Sequence, residues 1–414
     1  MQLFLIFDKS TLQSFDPNDA VWLDNFFRAV ITSPFLLETM ADLEKENKSS
    51  RSPEEVVGSI ARKIPGMNSC INVLHPKICV AELLGFEKIM LNGGPVIEGG
   101  VPISTRERKG LHYRQSSVEE SIEGWRHGEF SEHDRQGARL WLQDVSGLNF
   151  EARYKNWKLF LGRNIPRAFA EAKDFAENLI NDPLRKNGNF HLSLRNLGIP
   201  LGVQEKIIRR WQEQGCPNIK DFAPYTTFVF TLDLFFSVAI AADLISRARP
   251  SNRIDLAYLY YLPFCQVFVS SDWLHAEIVP LFKREDQSFV EGENLRKDLK
   301  LIDTYYSSYP HGIKEQGVIK LAQFPPRYCS FLVAELWDKH VLGWREVAEK
   351  IQLNNGAKHA DELWKPRENL KQGNNTVKID AKDVDHVIFD RWVPVRKGKW
   401  RIVPTEIEQE GSRA

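Results

Sequence analysis

Gln2-Leu3-Phe4-Leu5-Ile6-Phe7-Asp8, near the start of the chain, and Val267-Phe268-Val269-Ser270-Ser271-Asp272, far downstream, decide the fold between them. Each is a short apolar run that ends in an aspartate. The runs are continuous rather than alternating, the pattern of strands buried on both faces, and such strands belong to parallel sheets covered by helices. In open α/β sheets, ligands collect outside the carboxyl ends of the strands. Asp8 and Asp272 therefore stand where a carboxylate is rigidly held yet open to solvent, and two strands of one sheet can bring them to one spot.

Outward from the first run, a polar turn (Lys9, Ser10) leads to a helix seeded at Asp16-Pro17 and running through Trp22, Phe26 and Val30. Ser33-Pro34 carries the cap-then-proline signature and opens a helix holding Phe35, Leu36, Met40 and Leu43. From Lys45 to Arg51 the chain turns polar and the α/β rhythm stops. Helical patterns follow over residues 53–62, 117–145, 165–181 and 203–214, with a Gly/Pro-rich segment, 92–103, between the first two. Its two Gly-Gly pairs read as turns, because no Gly-Lys-Ser/Thr follows to complete a phosphate loop.

The rhythm returns after Pro224. A helix is expected over about 226–248, a second over 254–264, the strand 266–270, and a third helix after Asp272. The apolar stretch 226–245 is close to bilayer length, but Asp233 and Asp243 lie inside it. An acid near a bilayer centre is costly, so the stretch reads as a helix buried in a core. Further helices are expected beyond 285, notably 329–351. Near the end, 386–395 and 400–404 read as a hairpin closed by Arg396-Lys397-Gly398-Lys399.

Bulk composition narrows the function classes. Hydrophobic residues make up 43% and charged residues 27% of the 414, which is ordinary globular composition. Lys plus Arg equals Asp plus Glu at 55 each, so nucleic-acid binding would need local basic patches rather than a global field. The five cysteines are scattered and include no CxxC pair, which argues against a zinc knuckle or a disulfide framework and fits a reducing cytosol. The apolar start ends after seven residues without a basic lead-in, unlike a signal peptide.

Two more acids complete a pattern. Glu38 lies one turn into the Ser33-Pro34 helix, with Asp42 on the same face four residues on. Asp255 opens the helix that leads into the second strand, so a helix, a loop and a strand separate it from Asp272. Carboxylates gathered without His or Cys favour hard cations, Mg2+ or Mn2+. Such ions activate a water and stabilise the leaving oxygen in phosphodiester cleavage. Each acid alone has a plainer role, a turn residue for Asp8 or a dipole-complementing charge for Glu38 and Asp255. The order and placement of all four favour a site.

The constellation resembles the PIN-domain family, which includes the ribonuclease toxins of bacterial toxin–antitoxin pairs. The likeness rests on Phe7-Asp8-Lys9-Ser10-Thr11, on Ser33-Pro34-Phe35-Leu36-Leu37-Glu38, on Ile254-Asp255-Leu256-Ala257, and on Ser270-Ser271-Asp272. It covers roughly residues 1–46 and 222–285. The resemblance implies a PIN-like three-layer α/β core with a mainly parallel sheet. Residues 47–221 would form a mostly helical insertion, and 286–414 a C-terminal α+β extension ending in the basic hairpin. It further implies a metal-dependent endonuclease acting on RNA, or less readily on DNA. Asp8, Glu38, Asp255 and Asp272 would hold Mg2+ or Mn2+, Ser10 and Ser270 would orient ligands or water, and Asp42 would serve as an auxiliary ligand.

Lys9, beside the first acid, could meet a phosphate. Arg396, Lys397, Lys399 and Arg401, next to Trp392 and Trp400, have the composition of a single-strand contact. A small nuclease core amid helical additions suggests, by analogy alone, a regulated toxin or defence effector with a regulatory protein partner. Two other readings stay open. One is a non-catalytic PIN-like scaffold that binds RNA or protein. The other is a haloacid dehalogenase-like phosphatase, although position 10 is Ser10 where that chemistry needs a second Asp.

Overall fold

The structure, a computed structural model, describes residues 3–45, 50–86, 89, 91, 93–104, 109–327, 330–354, 386–389 and 393–403. Ten strands occur in these residues: β1 (Phe4–Phe7), β2 (Arg28–Ile31), β3 (Ser69–Ile71), β4 (Gly100–Ser104), β5 (Lys109–Tyr113), β6 (Val267–Ser270), β7 (Ser288–Glu291), β8 (His386–Phe389), β9 (Arg396–Lys397) and β10 (Trp400–Arg401). Five of them form the central sheet in the order β3-β2-β1-β6-β7, every neighbouring pair parallel. The fold is mixed α/β with helices predominating.

β1 and β6 are adjacent, in register Leu5↔Val267, Ile6↔Phe268 and Phe7↔Val269, and all six of these side chains are buried. Burying each one contributes roughly 1.5–3 kcal/mol, so the pair is fixed by the apolar runs themselves. From β1 the chain steps to β2 and β3 on one side, and from β6 to β7 on the other. Right-handed crossovers then put the connecting helices of the two halves on opposite faces. The direction reverses between β1 and β6, and beyond the carboxyl ends of strands at such a reversal lies a ligand crevice.

β2 corrects the expectation that one helix runs through Val30. The helix Pro17–Phe26 stops where Phe27 adopts extended backbone, and Arg28–Ile31 joins the sheet, with Arg28 N donating to Leu3 O at 2.9 Å. The β-branched pair Val30-Ile31 packs better on a pleated, buried surface than on a helix. β3 and β7 move the expected boundaries as well. β3 comes from inside the 47–221 stretch and β7 from beyond 285, and both complete the central sheet.

The stretch 117–145 is two helices, Ser117–His127 and Glu132–Ser146, because Gly128 takes a positive φ of 80° and Ser131 restarts the chain with a capping box. Helices His75–Leu84, Glu151–Leu161 and Lys186–Asn196 were not anticipated. The expected helix 329–351 is likewise two, Leu332–His340 and Trp344–Asn354.

The helix Pro224–Ala241 is the core of the helical body. It is long and apolar enough to cross a bilayer, but 89% of its most apolar window is buried inside the protein, where it packs on Phe169–Asn181 and Glu151–Leu161. Its amino end has no cap of its own. Instead Glu82, from His75–Leu84, accepts from Tyr225 N (3.0 Å), Thr226 N (2.8 Å) and Thr226 Oγ1 (2.9 Å). One buried acid thus satisfies backbone donors that would otherwise be stranded.

The C-terminal hairpin is shorter than its sequence suggested. β9 and β10 pair antiparallel around Gly398-Lys399, while β8 leaves to pair with β5, parallel, in a three-stranded sheet β4-β5-β8. Trp400 is buried edge-on against Trp22, with ring centroids 4.8 Å apart. Both indoles donate to Asp303 Oδ1, at 2.6 and 3.1 Å.

Candidate active site at the carboxyl edge of the sheet

Asp8 follows β1 directly and caps the helix Lys9–Ser14, its Oδ1 accepting from Thr11 N at 2.9 Å. Its Oδ2 accepts from Ser10 Oγ and from Ser270 Oγ, each at 2.8 Å. Both hydroxyls singled out in the sequence therefore converge on this one carboxylate, which is 5% exposed. Asp272 repeats the arrangement after β6. It caps the helix Trp273–Phe282 through Oδ1, which accepts from Leu274 N at 2.7 Å, and its own N–H donates to Ser270 Oγ at 3.0 Å. Ser270 thus ties the two strand-end acids together.

Glu38 comes from the helix Ser33–Ala41, and its Oε2 accepts from the hydroxyl of Tyr258 at 2.5 Å. Burial is the first cause of a carboxyl pKa raised above the usual range, offset by the Tyr258 hydrogen bond and by the nearby charges of Lys9 and Lys45. Asp255 lies in the first turn of the helix Asn252–Leu259. No described side chain or backbone N–H donates to its carboxylate. Its pKa is pushed up to about 8, first by burial and then by the negative charges of Asp272, Glu38 and Asp8, with Arg249 opposing. The acid from one chain end thus feels all three others, a like-charge crowd built from segments more than 200 residues apart.

Two further residues hold this crowd in place. Tyr258 sits one turn beyond Asp255; its hydroxyl also accepts from Lys9 N at 3.3 Å, so one phenol joins the Glu38 helix to the end of β1. His275, 1% exposed, sits one turn into the helix that follows Asp272. Its Nε2 donates to the carbonyl of Asp255 at 2.7 Å, and its Nδ1 lies 2.7 Å from Ser270 Oγ. A carbonyl can only accept, which places a hydrogen on Nε2. The i, i+3 spacing of Tyr258 from Asp255 and of His275 from Asp272 puts each on its acid's helix face, and that was the signal in the sequence. Trp273, between Asp272 and His275, presents a ring 51% exposed at this edge, with Phe169 6.4 Å away centroid to centroid.

Other expected contributors stand elsewhere. Asp42 is held in ion pairs by Lys9 and Lys45, which occupies it outside the carboxylate group. Lys9 is turned to Asp42 and to the carbonyl of Glu38 (3.2 Å), and burial lowers its pKa, so it is a strut beneath the acids rather than a cation offered to a phosphate. In the hairpin, Arg396 pairs with Glu315 at 2.6 Å and Lys399 with Asp303, while Lys397 Nζ donates to the carbonyls of Lys63 and Ile64 at 3.2 and 3.3 Å. Arg401 is 8% exposed and donates to Val403 O. These four cations fasten the hairpin to the body instead of forming an open strip, because each reaches a carboxylate or carbonyl within the fold. Trp392 lies outside the described residues.

As a donor set, the four acids suit a hard divalent ion. All four side chains offer carboxylate oxygens, Asp255 accepts no hydrogen bond among the described residues, and the neighbouring negative charges that add to burial in raising its pKa are what a cation would offset. Among the described residues, no group of three or more His, Cys, Asp or Glu side chains is placed so that it could hold a metal ion as it stands. No family model matches the chain, and no curated protein or solved structure is similar to it.

Proposed function

We propose that the chain is a metal-dependent endonuclease of the PIN-like type, acting on RNA. The observation that carries this reading is the electrostatic crowding of Asp8, Glu38, Asp255 and Asp272 at the sheet reversal, with Asp255 left without a donor. Carboxyls raised by burial together with neighbouring like charge are what functional sites tend to gather. A divalent ion held by these four would supply an activated water and charge stabilisation for the leaving oxygen. Ser10 and Ser270 fix the orientation of Asp8, Tyr258 fixes Glu38, and His275 keeps the Asp255 helix against the end of β6. Trp273 gives a stacking surface beside Asp272, which suits an unpaired base and hence a single-stranded substrate.

A second reading, a scaffold that binds RNA or protein without cutting it, draws on Asp8, both of whose oxygens already accept hydrogen bonds within the protein. Incubating a single-stranded RNA with the protein in Mn2+ and in EDTA separates the two. Cleavage that requires Mn2+ and is lost in Asp272→Asn supports the nuclease. Binding without cleavage under either condition supports the scaffold.

A further inference from the structure

A second site lies away from the acids. Asp24 and Gly66 precede β2 and β3, so they mark the amino side of the sheet, opposite the carboxylates. A cavity of about 620 Å3 opens there, bounded by the loop at Phe15–Pro17, the carboxyl end of the helix Pro53–Ala61 and the hairpin β9–β10. Arg51, Arg62, Lys63, Arg126, Arg396 and Lys397 line it, and among the described residues the acids in its wall are Asp16 and Asp24.

Those acids are already committed. Asp24 accepts from the N–H groups of Gly66, Met67 and Asn68 at 2.7–3.1 Å, and Asp16 caps the helix Pro17–Phe26. Part of the positive lining serves the end of the helix Pro53–Ala61. Arg126 donates to Ala61 O and Ile64 O, both at 3.2 Å, and Lys397 to Lys63 O and Ile64 O. A helix end carries only about half a negative charge. Arg126 also pairs with Glu123 and Arg396 with Glu315, and with Asp16 and Asp24 in the wall the six cations leave a smaller positive excess, to which Arg62, Lys63 and Lys397 contribute. An ammonium has three donors. Lys63 spends one, on Gln13 O at 2.8 Å, and Lys397 spends two.

We propose that this cavity binds a polyanionic, phosphate-bearing small molecule of nucleotide size. Its volume lies within the range of small-molecule sites, and converging guanidinium and ammonium groups match phosphate oxygens. Burial holds the Lys63 ammonium below its usual pKa and brings Lys397 down to about 8, a cost that a bound polyanion would reverse. The wall joins the amino-terminal core, the helix Pro53–Ala61 and the C-terminal hairpin, so an occupant would tie three distant chain segments together.

Calorimetric titration of the full chain in EDTA, which removes any metal-bridged binding at the acids, tests this with ATP, pyrophosphate and adenosine as probes. ATP and pyrophosphate should bind one to one, adenosine should not, and affinity should fall as salt rises. Arg62→Glu, at an exposed position, and Lys397→Met should each weaken binding by tenfold or more. The Arg62 variant keeps the test decisive if the Lys397 variant does not fold. Absence of binding by both phosphates, or equal affinity in the wild type and the Arg62 variant, would overturn the proposal. So would a 5′-phosphorylated RNA oligonucleotide that outcompetes both phosphates at these residues.

Discussion

Two sets of acids in this molecule are held in contrasting ways, and the contrast bears on where chemistry is expected. Asp24, Glu82 and Asp298 are each buried, and each is met by two or more backbone N–H groups from another element: the loop before β3, the amino end of Pro224–Ala241, and the amino end of Leu332–His340. These carboxylates act as remote helix and loop caps, and their negative charge is answered locally. At the carboxyl edge of the sheet Asp8 and Asp272 are likewise met by donors, but Asp255 and Glu38 are held differently. Asp255 meets the charge of three other acids, with Arg249 opposing, and no hydrogen-bond donor among the described residues, and Glu38 meets one phenol. Burial with satisfied donors is architecture, whereas burial with mutual repulsion calls for a ligand that is positive.

The largest expected effects fall on opposite properties in the two places. Asp8→Asn or Asp272→Asn should lower Mn2+-dependent cleavage by on the order of a thousandfold or more while leaving the fold intact, because the amide keeps the shape and loses the charge that holds a cation. Glu82→Ala should do the opposite. It strands two buried N–H groups at roughly 1–3 kcal/mol each. Denaturant midpoints should fall accordingly, with cleavage per folded molecule unchanged. Equal losses of activity from both kinds of variant would erase the distinction.

Next in size is a pH effect with a definite sign. The carboxyl of Asp255 is raised to about 8 in the folded chain from an ordinary 3.8. A raised folded pKa means that the native state is favoured below about pH 4 and loses that advantage as pH climbs through 8. Asp255→Asn, which never ionises, should match the wild type near pH 4 in EDTA. It should then become more stable by on the order of 2–5 kcal/mol toward pH 8–9. Added Mn2+ should raise the melting temperature of the wild type and not of the variant. A stability difference that does not grow with pH would mean that the crowd is screened and the comparison overstated.

Smaller effects sharpen the edges. Trp273→Ala should weaken binding of single-stranded RNA about tenfold with Trp273→Phe retaining most of it, measured in EDTA so that no cleavage intervenes. Lys399→Glu should lower stability by at most about 1 kcal/mol, since its partnership with Asp303 is half exposed, and should leave RNA affinity unchanged. A loss of RNA affinity in Lys399→Glu would return the hairpin to the role that its composition first suggested.

What could be read from the sequence follows from the range of the interactions involved. The apolar runs of β1 and β6, their place in one parallel sheet and their terminal aspartates were legible because burial on both faces leaves a continuous signature; that the two strands are neighbours came from the structure. β2 and β3 were not: Arg28–Ile31 follows directly on the helical pattern of Pro17–Phe26, and Ser69–Ile71 is a three-residue strand with one buried side chain, so neither leaves a continuous apolar run. The places of Asp8 and Asp272 at strand ends and of Glu38 and Asp255 on helices were legible too. Their supports went unremarked: Tyr258 and His275 share a helix face with Asp255 and Asp272, but what they reach, Glu38 and Ser270, is set by tertiary packing. Composition misled at the hairpin, where Arg396, Lys397 and Lys399 look like an open basic strip but find Glu315, two carbonyls and Asp303 through folding. The cavity that three of these segments enclose has no linear signature at all.

The most direct test of the central claim is cleavage of a single-stranded RNA by the wild type and by Asp272→Asn, side by side, in Mn2+ and in EDTA. The account predicts cleavage in one of the four reactions, wild type with Mn2+. Cleavage that persists in EDTA and in the variant, or a wild type that binds a divalent ion and RNA yet never cuts, would contradict it.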